Sequence, residues 1–132
     1  ETRFDFLIEK NKKKSFIEVK NVTLFRDKKN AEFPDAITTR GSKHLLTLID
    51  AIKKGYKTYL LFLVQIENME NFKIARDIDI EYYKNYLTAK KAGVNFLAYR
   101  CNISTKEILI EKKINIINEW LFRKIWKNAY SR

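Results

Sequence analysis

Hydrophobic positions along the 132 residues fall into several distinct rhythms. Near the start, Arg3-Phe4-Asp5-Phe6-Leu7-Ile8-Glu9 and the stretch from Phe16 to Phe25 are rich in β-branched and aromatic residues. They flank a polar, basic link, Lys10 to Ser15, and together predict a β-hairpin. Leu45, Leu48, Ile49 and Ile52 recur at helical spacing, with Ser42 placed as an N-cap and Gly55 as a stop, so a helix is expected from about Ser42 to Lys54. Tyr59 to Val64 is a continuous apolar run, the mark of a strand buried on both faces at the centre of a sheet. Asp79 is placed to cap a second helix that runs to about Ala92 and ends at Gly93, and Val94 to Arg100 reads as a further strand. Ile114, Ile117, Leu121 and Ile125 share a helical face, widened by Trp120, Phe122 and Trp126, so a helical extension is expected over 111–132. This order predicts an α/β fold with a mixed central sheet flanked by helices.

The length suits one domain, and no Pro/Gly-rich linker, repeat or low-complexity segment divides it: the single proline and three glycines sit at punctuation points. Hydrophobic residues make up 45% of the chain, enough apolar material to build a core rather than remain disordered. Because the chain opens on Glu1 and enters a strand almost at once, it reads as part of a longer protein. The lone Cys101 has no internal disulfide partner and fits a reducing compartment, so the expected location is the cytoplasm. No signal peptide is visible, and the apolar run from Tyr59 to Val64 is far shorter than the roughly 20 residues that span a bilayer, so no membrane role is expected.

Charge sharpens the picture. Lys and Arg number 27 against 16 Asp and Glu, a net +11, which favours an anionic partner such as nucleic acid. Lys, Ile and Asn are all abundant, as AT-biased genomes dictate, so this excess is counted at about half weight.

Candidate chemistry lies in the first hairpin. Glu18 and Lys20 stand two apart on one strand and so share a face, while Asp5, on the other strand, falls opposite or diagonal to them. Two carboxylates there are within reach of one hard cation such as Mg²⁺. Phosphodiester hydrolysis needs such a cation to offset charge on the phosphate and to generate hydroxide near neutral pH. The backbone carbonyl of Val19 would add an oxygen ligand, and the Lys20 ammonium would orient the attacking water or stabilise developing charge. The plainer alternative is a solvated Glu-x-Lys ion pair on an exposed face.

A wider set of residues resembles the successive signatures of the sugar fermentation stimulation (SfsA) family. These are Arg3-Phe4-Asp5-Phe6-Leu7, Glu18-Val19-Lys20-Asn21-Val22-Thr23-Leu24, Phe33-Pro34-Asp35-Ala36 with Thr38, Arg40-Gly41, Lys43-His44-Leu45, and Leu61-Phe62-Leu63-Val64-Gln65. Ala92-Gly93-Val94 and Ala98-Tyr99-Arg100 complete the set, which runs from residue 3 to about 110 in the family's order. The resemblance implies a PD-(D/E)xK restriction-endonuclease-like domain in which Asp5 matches the first acidic residue and Glu18-Val19-Lys20 the acidic-x-lysine triplet. It also implies a Mg²⁺ or Mn²⁺ cofactor. Members of the family carry, ahead of this region, a small OB-fold-like module and a helix that these 132 residues lack.

Further candidates follow from position. Asp35, in the loop after Pro34, is either a water-mediated metal ligand, as the resemblance implies, or the head of an Asx-type turn. Arg40, Lys43 and His44 gather at a helix start, where free N–H groups and the helix dipole favour a phosphate, although a lone histidine also serves as a packed structural residue. Gln65, at the end of the central strand, is a further candidate for nucleic-acid contact or water orientation. The aromatic and basic residues of 111–132 are expected to pack, with base stacking the alternative. Two readings remain: a metal-dependent nuclease acting on DNA or RNA, DNA being the preferred partner, or a non-catalytic DNA-binding regulator that keeps the nuclease fold. Both leave room for a homo-oligomer.

Overall fold

The computed structural model describes residues 5–118. Strands β1 (Phe6–Lys10) and β2 (Lys13–Val22) form the expected hairpin, with Lys10 opposite Lys13. The link is only Asn11 and Lys12, at φ 53° and 65°. Two-residue hairpin turns favour this left-handed backbone because it matches the twist of the flanking strands. The basic stretch expected to be a turn is therefore mostly strand. Lys10 to Lys14 are exposed, so their polarity records solvent contact rather than chain reversal.

The chain continues through β3 (Leu24–Phe25), β4 (Asn30–Phe33), α1 (Thr39–Lys53), β5 (Lys57–Val64), β6 (Asn71–Ile74), α2 (Ile80–Ala92), β7 (Asn95–Ile103) and β8 (Ile108–Ile117). One mixed sheet holds eight strands in the order β1-β2-β5-β7-β8-β6-β4-β3. A single residue, Thr23, joins β2 to β3, yet six strand spacings separate them in that order. At about 4.8 Å per spacing a flat sheet would place them about 29 Å apart, whereas the two steps from Val22 to Leu24 reach only about 7 Å. The sheet must therefore curl until its far end returns beside β2.

That curl wraps the core. Thr58, Leu60, Phe62 and Val64 of β5 point into it, while Tyr59, Leu61 and Leu63 on the opposite face are only half-buried. The expectation of a strand buried on both faces thus holds for one face, although β5 does lie inside the sheet between parallel neighbours β2 and β7. Phe62 stacks on Phe72 with ring centroids 4.3 Å apart, and Phe33 bridges Phe62 and Tyr82 at 5.6 and 5.3 Å. Leu45 and Leu48 of α1 and Tyr82 and Ala89 of α2 close the same cluster. No helix among the described residues is long and apolar enough to cross a membrane.

The helical extension expected after residue 110 is corrected in its first part. Ile114 and Ile117 belong to strand β8, which pairs antiparallel with β7 and parallel with β6. Five isoleucines among its ten residues explain this, because β-branched side chains suit a pleated surface better than a helix. Trp120, Leu121, Phe122, Ile125 and Trp126 lie outside the described residues. The short strands β3, β4 and β6 are too brief to show a period in sequence.

Two caps fix the helices to each other. Thr38, not Ser42, caps α1, its hydroxyl accepting from the Gly41 N–H at 2.9 Å. The buried carboxylate of Asp79 caps α2 by accepting from the Tyr82 N–H at 3.0 Å, and its other oxygen accepts from the Thr38 N–H at 2.8 Å. Gly93 ends α2 at φ 110°, as its position in the sequence requires. Gly41 has a separate reason to be glycine: a Cβ there would lie 2.8 Å from Thr38 Cγ2 and 3.1 Å from the Tyr82 ring. Replacing Asp79 with Ala removes both cap bonds and is expected to lower the unfolding free energy by about 2 kcal/mol, the scale of a lost cap with a charge-assisted bond. Urea denaturation measures this, and an unchanged midpoint would show that these bonds do not hold the two helix starts together.

Candidate functional site

β2 carries the site because of its period. Phe16, Glu18, Lys20 and Val22 alternate onto the face that β5 presents to the core through Thr58, Leu60, Phe62 and Val64. Glu18 is consequently buried, at 6% exposure, and the solvated ion pair on an exposed face is ruled out. The β1–β2 register, with Phe6 opposite Ile17, carries Asp5 to the level of Glu18. Asp5 Oδ2 accepts from the Val19 N–H at 2.8 Å. In a strand the N–H and C=O of one residue point to the same side, so the Val19 carbonyl faces the Asp5 side as well.

Around Glu18 the charges are close-set. Lys20 Nζ lies 3.8 Å from Glu18 Oε1, and His44 Nδ1 lies 3.3 Å from the same oxygen. The shortest contact is between Lys20 Nζ and His44 Nδ1, at 2.7 Å. Burial, and after it the charge of Asp5, pushes the Glu18 carboxyl above its usual range. Burial holds the Lys20 ammonium below its usual range, opposed by Glu18 and reinforced by Arg40. Burial, then the charges of Lys20 and Arg40, lowers His44, which favours the neutral imidazole.

The structure thus brings together Asp5, Glu18, Val19, Lys20 and His44, with Arg40 near enough to act on three of them electrostatically. Lys43 is exposed on α1, one residue before His44. Asp35 sits in the exposed bend between β4 and α1, and no cluster of three metal-ligating side chains forms among the described residues. Gln65, just past β5, donates to Asn21 Oδ1 at 2.8 Å, and Asn21 alternates to the face opposite Lys20. Asp5, Glu18 and a backbone carbonyl are oxygen donors of the kind that hold Mg²⁺, a cation commonly bound through one or two carboxylates with water completing the shell. The donor set fits that cation.

Sequence reading missed a second ionic group. Arg26 donates to both oxygens of the buried Glu32, at 2.7 and 2.5 Å, and to both of Asp77, at 2.6 and 2.8 Å. This fork ties the residue just after β3 to β4 and to the segment before α2. It borders a cavity of about 470 Å³ that also involves Tyr83 and Ile117 and lies apart from Glu18. No spacing in the sequence pairs Arg26 with Asp77, 51 residues away.

Comparison with known proteins settles the lineage. The family model described as "Sugar fermentation stimulation protein RE domain" matches residues 1–107. The chain belongs to the SfsA family. It is 78% identical over 118 residues to a sugar fermentation stimulation protein homolog of Pelagibacter ubique, which covers 89% of this chain and 51% of that relative. A homolog from Syntrophotalea carbinolica is 43% identical over 121 residues, covering 92% of the chain and 51% of the relative. The solved structure of Pyrococcus furiosus SfsA in complex with Ca²⁺ superposes with a TM-score of 0.82 at 28% identity, over 89% of this chain and 51% of that one. This SfsA chain therefore spans about half the length of the relatives it matches, and the expected fold class is the observed one.

Stability reports the buried carboxylate directly. Folded Glu18 keeps its proton at pH values where the unfolded chain has released it, so its contribution to stability falls as pH rises above the ordinary 4.5. In cation-free buffer, the advantage of the native chain over its Glu18→Gln variant is expected to shrink from pH 4.5 towards neutrality. Equal pH slopes for the two chains in urea denaturation would show that Glu18 is not held protonated.

Proposed function

We propose that this SfsA chain is the catalytic part of a metal-dependent nuclease that hydrolyses phosphodiesters of nucleic acid, DNA in preference to RNA, with Mg²⁺ or Mn²⁺. The observation that carries the reading is the pairing of a buried Glu18 with Asp5 across one hairpin, beside Lys20 on the same strand face. Two neighbouring carboxylates repel a phosphate, and burial already disfavours the Glu18 charge, so a site of this kind has a reason to exist when a cation joins it. The Pyrococcus furiosus relative was solved with Ca²⁺, another hard, oxygen-seeking cation.

When bound, such a cation would offset negative charge on the phosphate and lower the pKa of an attacking water. Asp5, Glu18 and the Val19 carbonyl would hold it. The Lys20 ammonium would then stabilise charge as it develops on the phosphate, or orient the water, at a place where desolvation strengthens its field. Arg40, in the first turn of α1, and Lys43 would hold the nucleic-acid backbone, with the helix N-terminus adding its dipole. The net charge of +11 supplies the long-range attraction. A cytoplasmic location and a homo-oligomeric state accord with this reading, and a non-catalytic DNA-binding role is the competing one.

Cleavage of single-stranded DNA, double-stranded DNA and RNA, with Mg²⁺ or Mn²⁺ and with chelator, decides between them. The expected result is metal-dependent turnover that Glu18→Ala and Lys20→Ala each reduce by at least about a hundredfold, with far-ultraviolet circular dichroism unchanged. Tight binding with no cleavage under any metal would instead establish the non-catalytic role. Salt dependence alone does not separate the two, since both bind through the same charges.

A further inference from the structure

We propose that His44 is a positioning residue that holds Lys20 through its Nδ1 atom. The inference rests on the nuclease reading and deepens it. A lysine reaches its target on a flexible four-carbon stem, so its ammonium acts at a defined point only where something fixes its direction. Glu18 does this poorly, at 3.8 Å, whereas His44 Nδ1 stands 2.7 Å from Lys20 Nζ.

An ammonium has only donors, so Nδ1 must be the acceptor in that contact, and the proton of a neutral ring then sits on Nε2. The alternative, an imidazolium whose Nδ1–H donates to Glu18, is served by the longer 3.3 Å contact and would set a third cation against Lys20 and Arg40. A neutral ring turned towards Lys20 carries no charge of its own to attract a phosphate.

The helix is built to hold the ring there. His44 lies in α1 six residues beyond its Thr38 cap, and the cap is locked to α2 by Asp79. Gly41 lets this turn approach Thr38 and Tyr82 too closely for any Cβ, and the neighbouring Leu45 is fully buried. These contacts fix the backbone from which His44 reaches Lys20.

Two substitutions separate the roles. Asn at this position sets an amide near the place of Nδ1, and Gln sets one near Nε2. His44→Gln is expected to lower kcat at least about tenfold, with KM changed less than about twofold, and His44→Asn to recover most of that loss. A loss confined to KM, or an Asn variant as slow as the Gln variant, would overturn the proposal.

A second readout needs no turnover: the rate at which an acylating reagent modifies Lys20 in the whole chain, followed by mass spectrometry with Lys43 as internal reference. Freed from His44, Lys20 is expected to change its rate relative to Lys43 by at least about threefold in the Gln variant and to return towards the native ratio in the Asn variant. An unchanged ratio in the Gln variant sinks the proposal. If the native chain cleaves nothing, the nuclease reading fails, and this ratio still decides whether His44 holds Lys20.

Discussion

Everything at the candidate site follows from placing a carboxylate and an ammonium on the core-facing side of β2. The same face of β5 is apolar from Leu60 to Val64, and burying a charge against it is costly unless partners stand close by. Glu18 and Lys20 partially neutralise each other at 3.8 Å, too far for a strong hydrogen bond, and His44 closes the gap from the opposing helix. Neither β2 nor α1 satisfies these groups alone. The local charge balance thus depends on tertiary structure, and the raised Glu18 and lowered Lys20 ionisations show that the desolvation cost is only partly offset.

The scaffold answers that need by anchoring the start of α1 as well as its buried middle. Asp79 accepts from the N–H groups of Thr38 and Tyr82, so one carboxylate serves the entry to both helices. Tyr82 in turn lies edge-on to Phe33 at the end of β4, and Phe33 meets Phe62 in the core. A continuous run of contacts therefore links the central aromatic cluster to the turn that carries Arg40, Gly41 and His44. The single-residue link at Thr23 adds a second restraint, because it returns the far edge of the curled sheet to the end of β2. The candidate-site groups on β2 and α1 are held by rigid elements, which is where functional groups keep their geometry best.

Much of this was legible in the sequence, for reasons that can be named. The β1–β2 hairpin, α1, β5, α2 and β7 announce themselves through period and punctuation, and Asp79 and Gly93 act as read. Strand alternation puts Glu18 and Lys20 on one face and Asp5 opposite or diagonal to them, while the two-residue turn at Asn11 and Lys12 sets Asp5 level with Glu18. The cap of α1 was misplaced because Thr38 and Ser42 are both good capping residues and only the backbone at Thr38, extended at φ −128°, decides between them. β8 was misread because an isoleucine-rich stretch meets both a helical and a strand template, and the ladder to β7 and β6 is set by distant partners. The ends of the Lys20–His44 contact are 24 residues apart, on a strand and a helix whose relative placement no local pattern encodes.

The site's charge arithmetic favours a cation-dependent role. Asp5 and Glu18 bring two negative charges, Lys20 and Arg40 two positive ones, and the imidazole of His44 is pushed towards neutrality. Without metal the group is close to neutral and offers little net attraction to a phosphate, despite the basic character of the chain as a whole. A divalent cation held by the two carboxylates would tip the same group to about two net positive charges at the point where a phosphodiester would sit. Attraction would then arise at the site only when it is loaded, while the dispersed lysines would act on nucleic acid at longer range whether it is loaded or not. On the proposed reading this separates binding from cutting: the surface charge would gather the substrate, and the paired carboxylates would make its reaction conditional on the metal.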